Sequence, residues 1–258
     1  MVAVSDINND NNLDVIFVCP SKSIISTVDG YGNNSTFENQ MKKISSSDFR
    51  LVSIAIGDFS DDNKVDFAVG NCGSGVSIFF GYNNGTFAYQ TTYSTRANSH
   101  PNSIAVDDFN NDNQLDIVVT NEDVNSIGLL LGYGNENFAN QTILLNQSDF
   151  QPFSITIADI DHDHCLDIIV ANHKNESISV IFGDGNDKVK SIIQYSIGYS
   201  SRPYSIVLYD FNNDTHIDIA VTDDATNTIN ILFGYGNIQD IILNHYLLSL
   251  EISIMTYY

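Results

Sequence analysis

Residues 108–116 have the sequence Asp-Phe-Asn-Asn-Asp-Asn-Gln-Leu-Asp and lie between two apolar segments. Positions 1, 3, 5 and 9 of this stretch carry side-chain oxygen atoms, and position 7 is Gln114. Calcium is bound in proteins by carboxylates, amide oxygens and backbone carbonyl groups, so the carbonyl of Gln114 can complete an oxygen cage. The stretch therefore predicts a calcium-binding loop. Leu115 precedes the last carboxylate and is expected to point inward and to fix the loop to the core.

Five copies of this nine-residue pattern occur along the chain, and we number them loops one to five. They begin at Asp6, Asp58, Asp108, Asp159 and Asp210, with spacings of 52, 50, 51 and 51 residues. Chance clustering of acidic residues would not give so regular a period. The pattern predicts up to five Ca²⁺ ions. The predicted ligands, at positions 1, 3, 5, 7 and 9 of each loop, are Asp6, Asn8, Asp10, Asn12, Asp14, Asp58, Ser60, Asp62, Lys64, Asp66, Asp108, Asn110, Asp112, Gln114, Asp116, Asp159, Asp161, Asp163, Cys165, Asp167, Asp210, Asn212, Asp214, His216 and Asp218.

Each repeat also contains four short apolar segments rich in Val, Ile and Phe and separated by Gly and Asn. Segments of this length and composition favour β-strands, and no helical pattern lies between them. A four-stranded antiparallel sheet repeated about every 51 residues is typical of a β-propeller blade. The predicted fold is all-β, a single propeller domain spanning residues 1–258. Its repeats are expected at about 1–49, 50–100, 101–150, 151–202 and 203–246, followed by a non-repeat tail at 247–258.

The acidic loop joins the first and second strands of each predicted blade, and a Gly/Asn turn such as 132–135 joins the third and fourth. Alternate turns of an up-and-down sheet lie at opposite ends, so the loop and the Gly/Asn turn should share one end of the blade. The opposite end includes Arg96, His100, Arg202 and Tyr204. Because interfaces favour Arg and Tyr, this end is the default recognition surface, although the same residues can be plain linkers between blades.

The net charge supports a structural role for bound ions. The chain has 32 acidic and 10 basic residues among 258, which gives a formal charge of −22. Self-repulsion at such a charge destabilises a compact fold. Positions 1, 3, 5 and 9 of the loops hold 16 of the 32 acidic residues, and five divalent ions would leave a net charge of about −12. We therefore expect calcium to stabilise the fold.

Several classes of function are disfavoured. The few basic residues do not form the surface that nucleic-acid binding requires. No run of about 20 apolar residues predicts a transmembrane segment, and the N-terminus lacks the features of a signal peptide. The chain enters its first repeat almost at once, which suggests a truncated start. Asn-x-Ser/Thr sequons nevertheless suggest an extracellular glycoprotein, and they begin at Asn33, Asn34, Asn84, Asn140, Asn146, Asn175 and Asn213.

No catalytic pattern stands out. The sequence has no Gly-x-Ser-x-Gly motif and no His-x-x-x-His pair. His162 and His164 flank ligand positions and are expected to be solvated. The loops are not EF-hands, because position 12 is never Glu and strands, not helices, flank them. The aromatic residues of the Gly/Asn turns are interpreted as hairpin caps, with sugar stacking as the alternative, at Tyr31, Tyr82, Tyr133 and Tyr235.

The chain resembles the FG-GAP and VCBS-type repeat proteins, which are calcium-binding propellers related to the integrin α-subunit head. The resemblance covers residues 2–246 and is most specific at Ser103–Ile117 and Ser205–Ile219. It implies structural calcium and a secreted or surface protein whose blades bind proteins or sugars. Two features depart from the family. Its loops usually have Gly at position 6, where this chain has Asn, His or Thr215, and such propellers commonly have seven blades, so five copies suggest an open fragment or an unusual closure.

The function predicted from the sequence is a non-enzymatic calcium-binding module for extracellular recognition or adhesion. A lectin-like propeller, or the propeller part of a sugar-active lyase, is the alternative. A third hypothesis is a spacer with no ligand but calcium. The expected partners are calcium and a protein or glycan.

Overall fold

The computed structural model describes residues 1–20, 23–30, 42–43, 51–72, 75–82 and 84–234, and the structural statements below concern these residues. They form five antiparallel sheets, one for each repeat. The protein is therefore an all-β, five-bladed β-propeller, as the sequence predicted. The last predicted strand of repeat five, the turns that contain Tyr31 and Tyr235, and the tail at 247–258 lie outside the described residues.

The strands of each blade pair in chain order, which is the up-and-down arrangement. Blade one contains β1 (Val2–Ser5), β2 (Asp14–Cys19), β3 (Ile24–Val28) and β4 (Lys42–Lys43). Blade two contains β5 (Leu51–Gly57), β6 (Asp66–Asn71), β7 (Gly75–Tyr82) and β8 (Thr86–Tyr93). Blade three contains β9 (Pro101–Asp107), β10 (Asp116–Asn121), β11 (Ser126–Leu130) and β12 (Thr142–Asn146). Blade four contains β13 (Pro152–Ala158), β14 (Asp167–Asn172), β15 (Ser177–Gly183) and β16 (Val189–Ser196), and blade five contains β17 (Pro203–Tyr209), β18 (Asp218–Asp223) and β19 (Thr228–Leu232).

The register places every acidic loop between the first two strands of its blade. In blade three, Asp107 pairs with Asp116, so the loop leaves β9 and position 9 begins β10. Blade five has the same arrangement, since Tyr209 pairs with Asp218. Each loop is flanked by strands and not by helices, which confirms the prediction that the loops are not EF-hands. One short 3₁₀ turn, at Glu122–Val124, is a local exception to the all-strand pattern.

The chain divides into two compact units, residues 1–146 with blades one to three and the residues from 147 onward with blades four and five. Within each unit the hydrophobic core lies between neighbouring blades. Phe59 and Ile78 of blade two pack with Ile104 and Ile117 of blade three, for example. The inner strands read as continuous apolar runs in the sequence because both of their faces are covered, and every residue of β10 and β11 is buried.

The acidic loops are anchored to this core mainly through position 2. The residue at that position is at most 6% exposed in the first four loops, where it is Ile7, Phe59, Phe109 and Ile160. Leu115, at position 8, packs partly buried against the same core, as expected. Its counterpart Leu13 in loop one is 67% exposed. Position 8 was predicted from the sequence to anchor the loop and position 2 was not, although position 2 is Ile or Phe in every loop.

The three cysteines all lie in the described part of the chain, and none of them is in a disulfide. Among the described residues, no helix has the length and apolar character needed to cross a lipid bilayer.

Candidate metal centres

The aspartate at position 9 ties each acidic loop to the turn between the third and fourth strands. In loop three, Oδ2 of Asp116 accepts the backbone N–H of Phe109 at 3.0 Å, and Oδ1 accepts that of Gly132 at 2.8 Å. The same pair of bonds recurs in the other four loops. This aspartate is at most 1% exposed in every loop. The loop and the Gly turn therefore share one end of each blade, as the sequence predicted.

The glycine that donates to position 9 has no room for a side chain. A Cβ atom on Gly132 would stand 2.2 Å from the backbone oxygen of Leu115, and one on Gly81 would stand 2.1 Å from that of Val65. These distances are far below van der Waals contact, so the turn must carry glycine to approach the loop. The Gly of the turns was noted in the sequence, but the hydrogen bond that requires it was not.

Position 1 folds the loop around its own carboxylate. In loop three, Oδ1 of Asp108 accepts the N–H of Asp112 at 2.9 Å, and Oδ2 accepts the N–H of Asn113 at 2.7 Å. The other four loops repeat both bonds. Each loop achieves this tight curl with a left-handed backbone at positions 4 and 6, where φ lies between 59° and 75°.

Positions 3 and 5 turn their oxygens inward in the same way. Oδ1 of Asn110 accepts the N–H of Asp112 at 3.1 Å, and Oδ1 of Asp112 accepts the N–H of Gln114 at 2.8 Å. These bonds orient the side-chain oxygens but leave lone pairs on them, because a carboxylate has about four acceptor sites. The four predicted side-chain ligands of the loop are thus held in a fixed arrangement.

Loop four offers the clearest test of whether the residues fit a metal ion. Carboxylate oxygens of Asp159, Asp161 and Asp167 lie within 4.8 Å of one another. Calcium–oxygen bonds are about 2.3–2.6 Å long, so two ligands of one ion can be at most roughly 5 Å apart. In addition, Oδ2 of Asp161 is buried and has no hydrogen-bond partner among the described residues. A buried unpaired carboxylate oxygen is costly. The donor set of loop four fits a hard divalent cation.

Loop two differs from the others in having a lysine within the loop. Its position 7 is Lys64, whose Nζ forms an ion pair with Oδ2 of Asp62 at position 5. The hydrogen bond from Lys64 lowers the pKa of Asp62. Position 3 offers only the Ser60 hydroxyl. An ammonium group beside a predicted ligand competes with a metal ion. Lys190 likewise pairs with Asp163 of loop four at 3.0 Å. Loop four keeps three other ligand carboxylates and loop two only two, so loop two is the weakest candidate site of the five.

Burial raises the pKa of four aspartates at position 9, which are Asp14, Asp66, Asp116 and Asp167. The value rises to about 6 for Asp66 and for Asp116 and to about 7 for Asp167, while the two backbone N–H donors oppose the shift in each case. Neighbouring loop carboxylates raise it further. A cation bound in the loop would lower the pKa of these carboxyl groups and so favour their ionised form.

The raised pKa values predict a pH dependence of the calcium-free protein. The folded state binds more protons than the unfolded state between about pH 4 and pH 7, so the free energy of unfolding falls as pH rises through that window. The melting temperature of protein stripped on a chelating resin should therefore rise when pH is lowered from 7.5 to 5. Saturating calcium should abolish or reverse the trend. Thermal melts across this pH range, with and without calcium, check the prediction, and a flat profile for stripped protein would contradict it.

Loop five contains a strained residue at position 6. Thr215 has φ = 75°, whereas the other loops have Asn or His at this position. A left-handed backbone costs a non-glycine residue about 1–2 kcal/mol, and β-branching makes it an outlier. Thr215→Gly is expected to stabilise the protein by about 1 kcal/mol, measured by denaturant unfolding. Asn113→Gly is the matched control, with a smaller gain because Asn tolerates this backbone. Equal effects of the two changes would show that Thr215 is unstrained.

Outside the loops, the predicted hairpin aromatics Tyr82 and Tyr133 are 51% and 56% exposed.

At the opposite end of the blades, Arg202 forms a two-bond ion pair with Asp224. Nδ1 of His100 lies within hydrogen-bonding distance, 3.2 Å, of a carboxylate oxygen of Glu122. These two contacts join the segment before the first strand to the end of the second strand of one blade. They support a linking role for the basic residues at this end.

Each blade is an antiparallel sheet with an acidic loop between its first and second strands. These two features place the protein in the class of β-propellers that carry one acidic loop in every blade. A family described as FG-GAP-like repeat matches residues 58–119, 108–170 and 165–221, which together exceed half of the 258-residue chain. The chain belongs to the FG-GAP-like repeat family. The comparison with curated proteins found no match in sequence.

Three solved structures illustrate the fold. A catalytically inactive virginiamycin B lyase from Staphylococcus aureus, solved with quinupristin, is 18% identical with a TM-score of 0.63, and the match covers 96% of this chain and 70% of the lyase. A lectin from Agrocybe aegerita that recognises non-reducing terminal N-acetylglucosamine is 16% identical with a TM-score of 0.61, over 92% and 63% of the two chains. BBS1N in complex with ARL6DN is 16% identical with a TM-score of 0.59, over 91% and 66%. At these identities the likeness concerns the fold alone.

Proposed function

We propose that the chain is a non-enzymatic, calcium-binding propeller module for extracellular recognition. The convergence of three carboxylates in loop four carries the calcium proposal. The same hydrogen-bonded curl in all five loops extends it to the other sites. In each, positions 1, 3, 5 and 9 would supply side-chain oxygens and position 7 its backbone carbonyl. A bound ion would neutralise carboxylates and fix the loop between two strands, which is a structural task.

Loop four is the strongest of the proposed sites. It has carboxylates at all four side-chain positions, whereas the other loops have three. Because calcium affinity rises with the number of charged ligands, we expect loop four to fill first and loop two to fill last.

The extracellular location rests on glycosylation sequons and on calcium availability. Among the sequon asparagines, Asn84, Asn140, Asn146 and Asn213 are exposed in the structure. Exposed sequons can accept glycans, and calcium concentrations outside cells suit weak calcium modules. Expression in a secreting cell, followed by glycosidase treatment, tests the proposal. A mass shift supports an extracellular glycoprotein, and an unglycosylated product counts against it.

A carbohydrate ligand is the second candidate. Three rings from blades four and five form a cluster. The ring centroid of Phe153 is 3.7 Å from that of His173 and 4.6 Å from that of Tyr204, and the centroids of His173 and Tyr204 are 5.9 Å apart. Tyr204 is 47% exposed and offers a ring face for sugar stacking. A glycan array probed with calcium-loaded protein separates the candidates. Discrete sugar binding lost in Tyr204→Ala, but kept in Tyr133→Ala, would favour a lectin over a protein-binding module.

The calcium proposal has a direct stoichiometric test. Equilibrium dialysis should detect close to five calcium ions per chain, and Asp112→Ala should remove one of them. The other four should remain, because in repeat folds each unit interacts only with its neighbours. Uptake of no calcium by the folded protein would refute the proposal.

A further inference from the structure

Two histidine side chains from neighbouring acidic loops lie close together in the second unit. His162 is at position 4 of loop four, and His216 is at position 7 of loop five. Their ring centroids are 6.2 Å apart, with an angle of 40° between the planes. We propose that these two imidazoles bind one divalent transition-metal ion, such as Zn²⁺, at a site separate from the calcium loops.

The distance between the rings suits a shared ion. Zinc–nitrogen bonds are about 2.0–2.1 Å long, and each ring centre lies roughly 1 Å behind its nitrogen, so two imidazoles on one ion have centroids roughly 5–6 Å apart. The observed separation of 6.2 Å lies just above this range. His162 is exposed on its loop, so its side chain can turn the remaining fraction of an ångström towards His216. Water would complete the coordination on the exposed side.

The two side chains have no other assigned role. In loop five the proposed calcium ligand at position 7 is the backbone carbonyl of His216, which leaves its imidazole available. Its Nδ1 atom is buried and has no hydrogen-bond partner among the described residues. A buried ring nitrogen without a partner is unfavourable, and a bound ion or water would satisfy it.

The chemistry of the ligands separates this site from the calcium sites. Carboxylate and carbonyl oxygens suit calcium, whereas imidazole suits zinc, copper and nickel. The four carboxylates of loop four lie in the same loop as His162 and would draw cations of either kind towards it. Calcium and the transition-metal ion can therefore be bound at the same time.

The pairing is specific to these two loops in the sequence. Position 4 is Asn or Asp in the other loops, and position 7 is Asn, Lys, Gln or Cys. In the sequence, only loops four and five combine histidine at position 4 of one loop with histidine at position 7 of the next. A metal ion there would join blades four and five directly.

The test uses the full chain, saturated with calcium and titrated with ZnCl₂ by isothermal titration calorimetry. We expect one zinc site per chain and an affinity loss of at least about tenfold in His162→Asn and in His216→Asn, because each removes half of the protein ligands. Asparagine is chosen because it already occupies position 4 in loops one, three and five and position 7 in loop one. His164→Asn is the matched control, and its zinc affinity should be unchanged.

Three outcomes would overturn the proposal. They are absence of zinc binding, equal zinc affinity in the two histidine variants and the parent protein, and release of calcium in step with zinc uptake, which would place zinc in the carboxylate loops. Circular dichroism of each variant in calcium checks that it is folded. The calcium content, measured separately, distinguishes failure of the calcium proposal from failure of this one, because zinc binding that depends on His162 and His216 does not require filled calcium loops.

Discussion

Removal of calcium is expected to lower the melting temperature of the protein by at least about 10 °C. An ion that binds only the folded state adds about 2.7 kcal/mol when its free concentration is a hundredfold above its dissociation constant. In a chain of this size each kcal/mol shifts the melting temperature by about 2–4 °C, so two filled sites already suffice. Without the ions, 16 loop carboxylates repel one another within a chain of net charge −22.

Circular dichroism melts in excess calcium and in excess chelator measure this shift. Magnesium is the matched control, because it prefers a smaller octahedral site and should restore less of the stability than calcium. High salt without calcium should raise the melting temperature only partly, because salt screens the repulsion between carboxylates but supplies no ion to the loops. Identical melts with calcium and with chelator would show that the loops are solvated turns that hold no structural ion.

Replacement of a position-9 aspartate should be the most damaging single change in a loop. Asp116→Ala is expected to destabilise the calcium-loaded protein by about 4–6 kcal/mol, through two effects. Calcium loses a ligand at that loop, and two buried N–H groups, those of Phe109 and Gly132, lose their acceptor. Each orphaned buried donor costs about 1–3 kcal/mol.

Asp112→Ala is the matched control for this prediction. It removes a ligand from the same loop, but its carboxylate is exposed and accepts the N–H of Gln114 and the amide N–H of Asn110 in bonds that water can replace. Its cost should be about 2–3 kcal/mol in calcium, the free energy of one binding site, and close to zero in stripped protein. Denaturant unfolding of both variants, with and without calcium, makes the comparison. Equal losses for the two variants would mean that the hydrogen bonds to Asp116 contribute nothing.

The blade architecture could be predicted from the sequence because it depends on local patterns. The period between Asp6, Asp58 and the later loop starts, with short apolar segments between them, is sufficient to define a four-stranded unit. The strands extend beyond their apolar segments, as in Gly75–Tyr82, where the apolar segment of the sequence is residues 76–80. Backbone pairing continues past the last apolar side chain, so the apolar pattern underestimates strand length.

Features of the site that depend on residues distant in the sequence could not be predicted. Nothing in the sequence of loop three indicates that Asp116 accepts the N–H of Gly132, sixteen residues later. The contact between His162 and His216 joins two repeats, so no single repeat contains it. The burial that raises the pKa of Asp167 to about 7 likewise comes from the packing of the blade around the loop.

The sequence alone determined the repeat period, the strand composition, the oxygen-bearing loop positions and the excess of negative charge, because each of these is a property of neighbouring residues. The tertiary structure decided which oxygens converge, which aspartates are buried and doubly hydrogen-bonded, and which side chains of adjacent blades meet. These properties depend on the stacking and register of strands far apart in the chain, where burial changes the free energy of ionising a carboxylate and of leaving an N–H group unpaired.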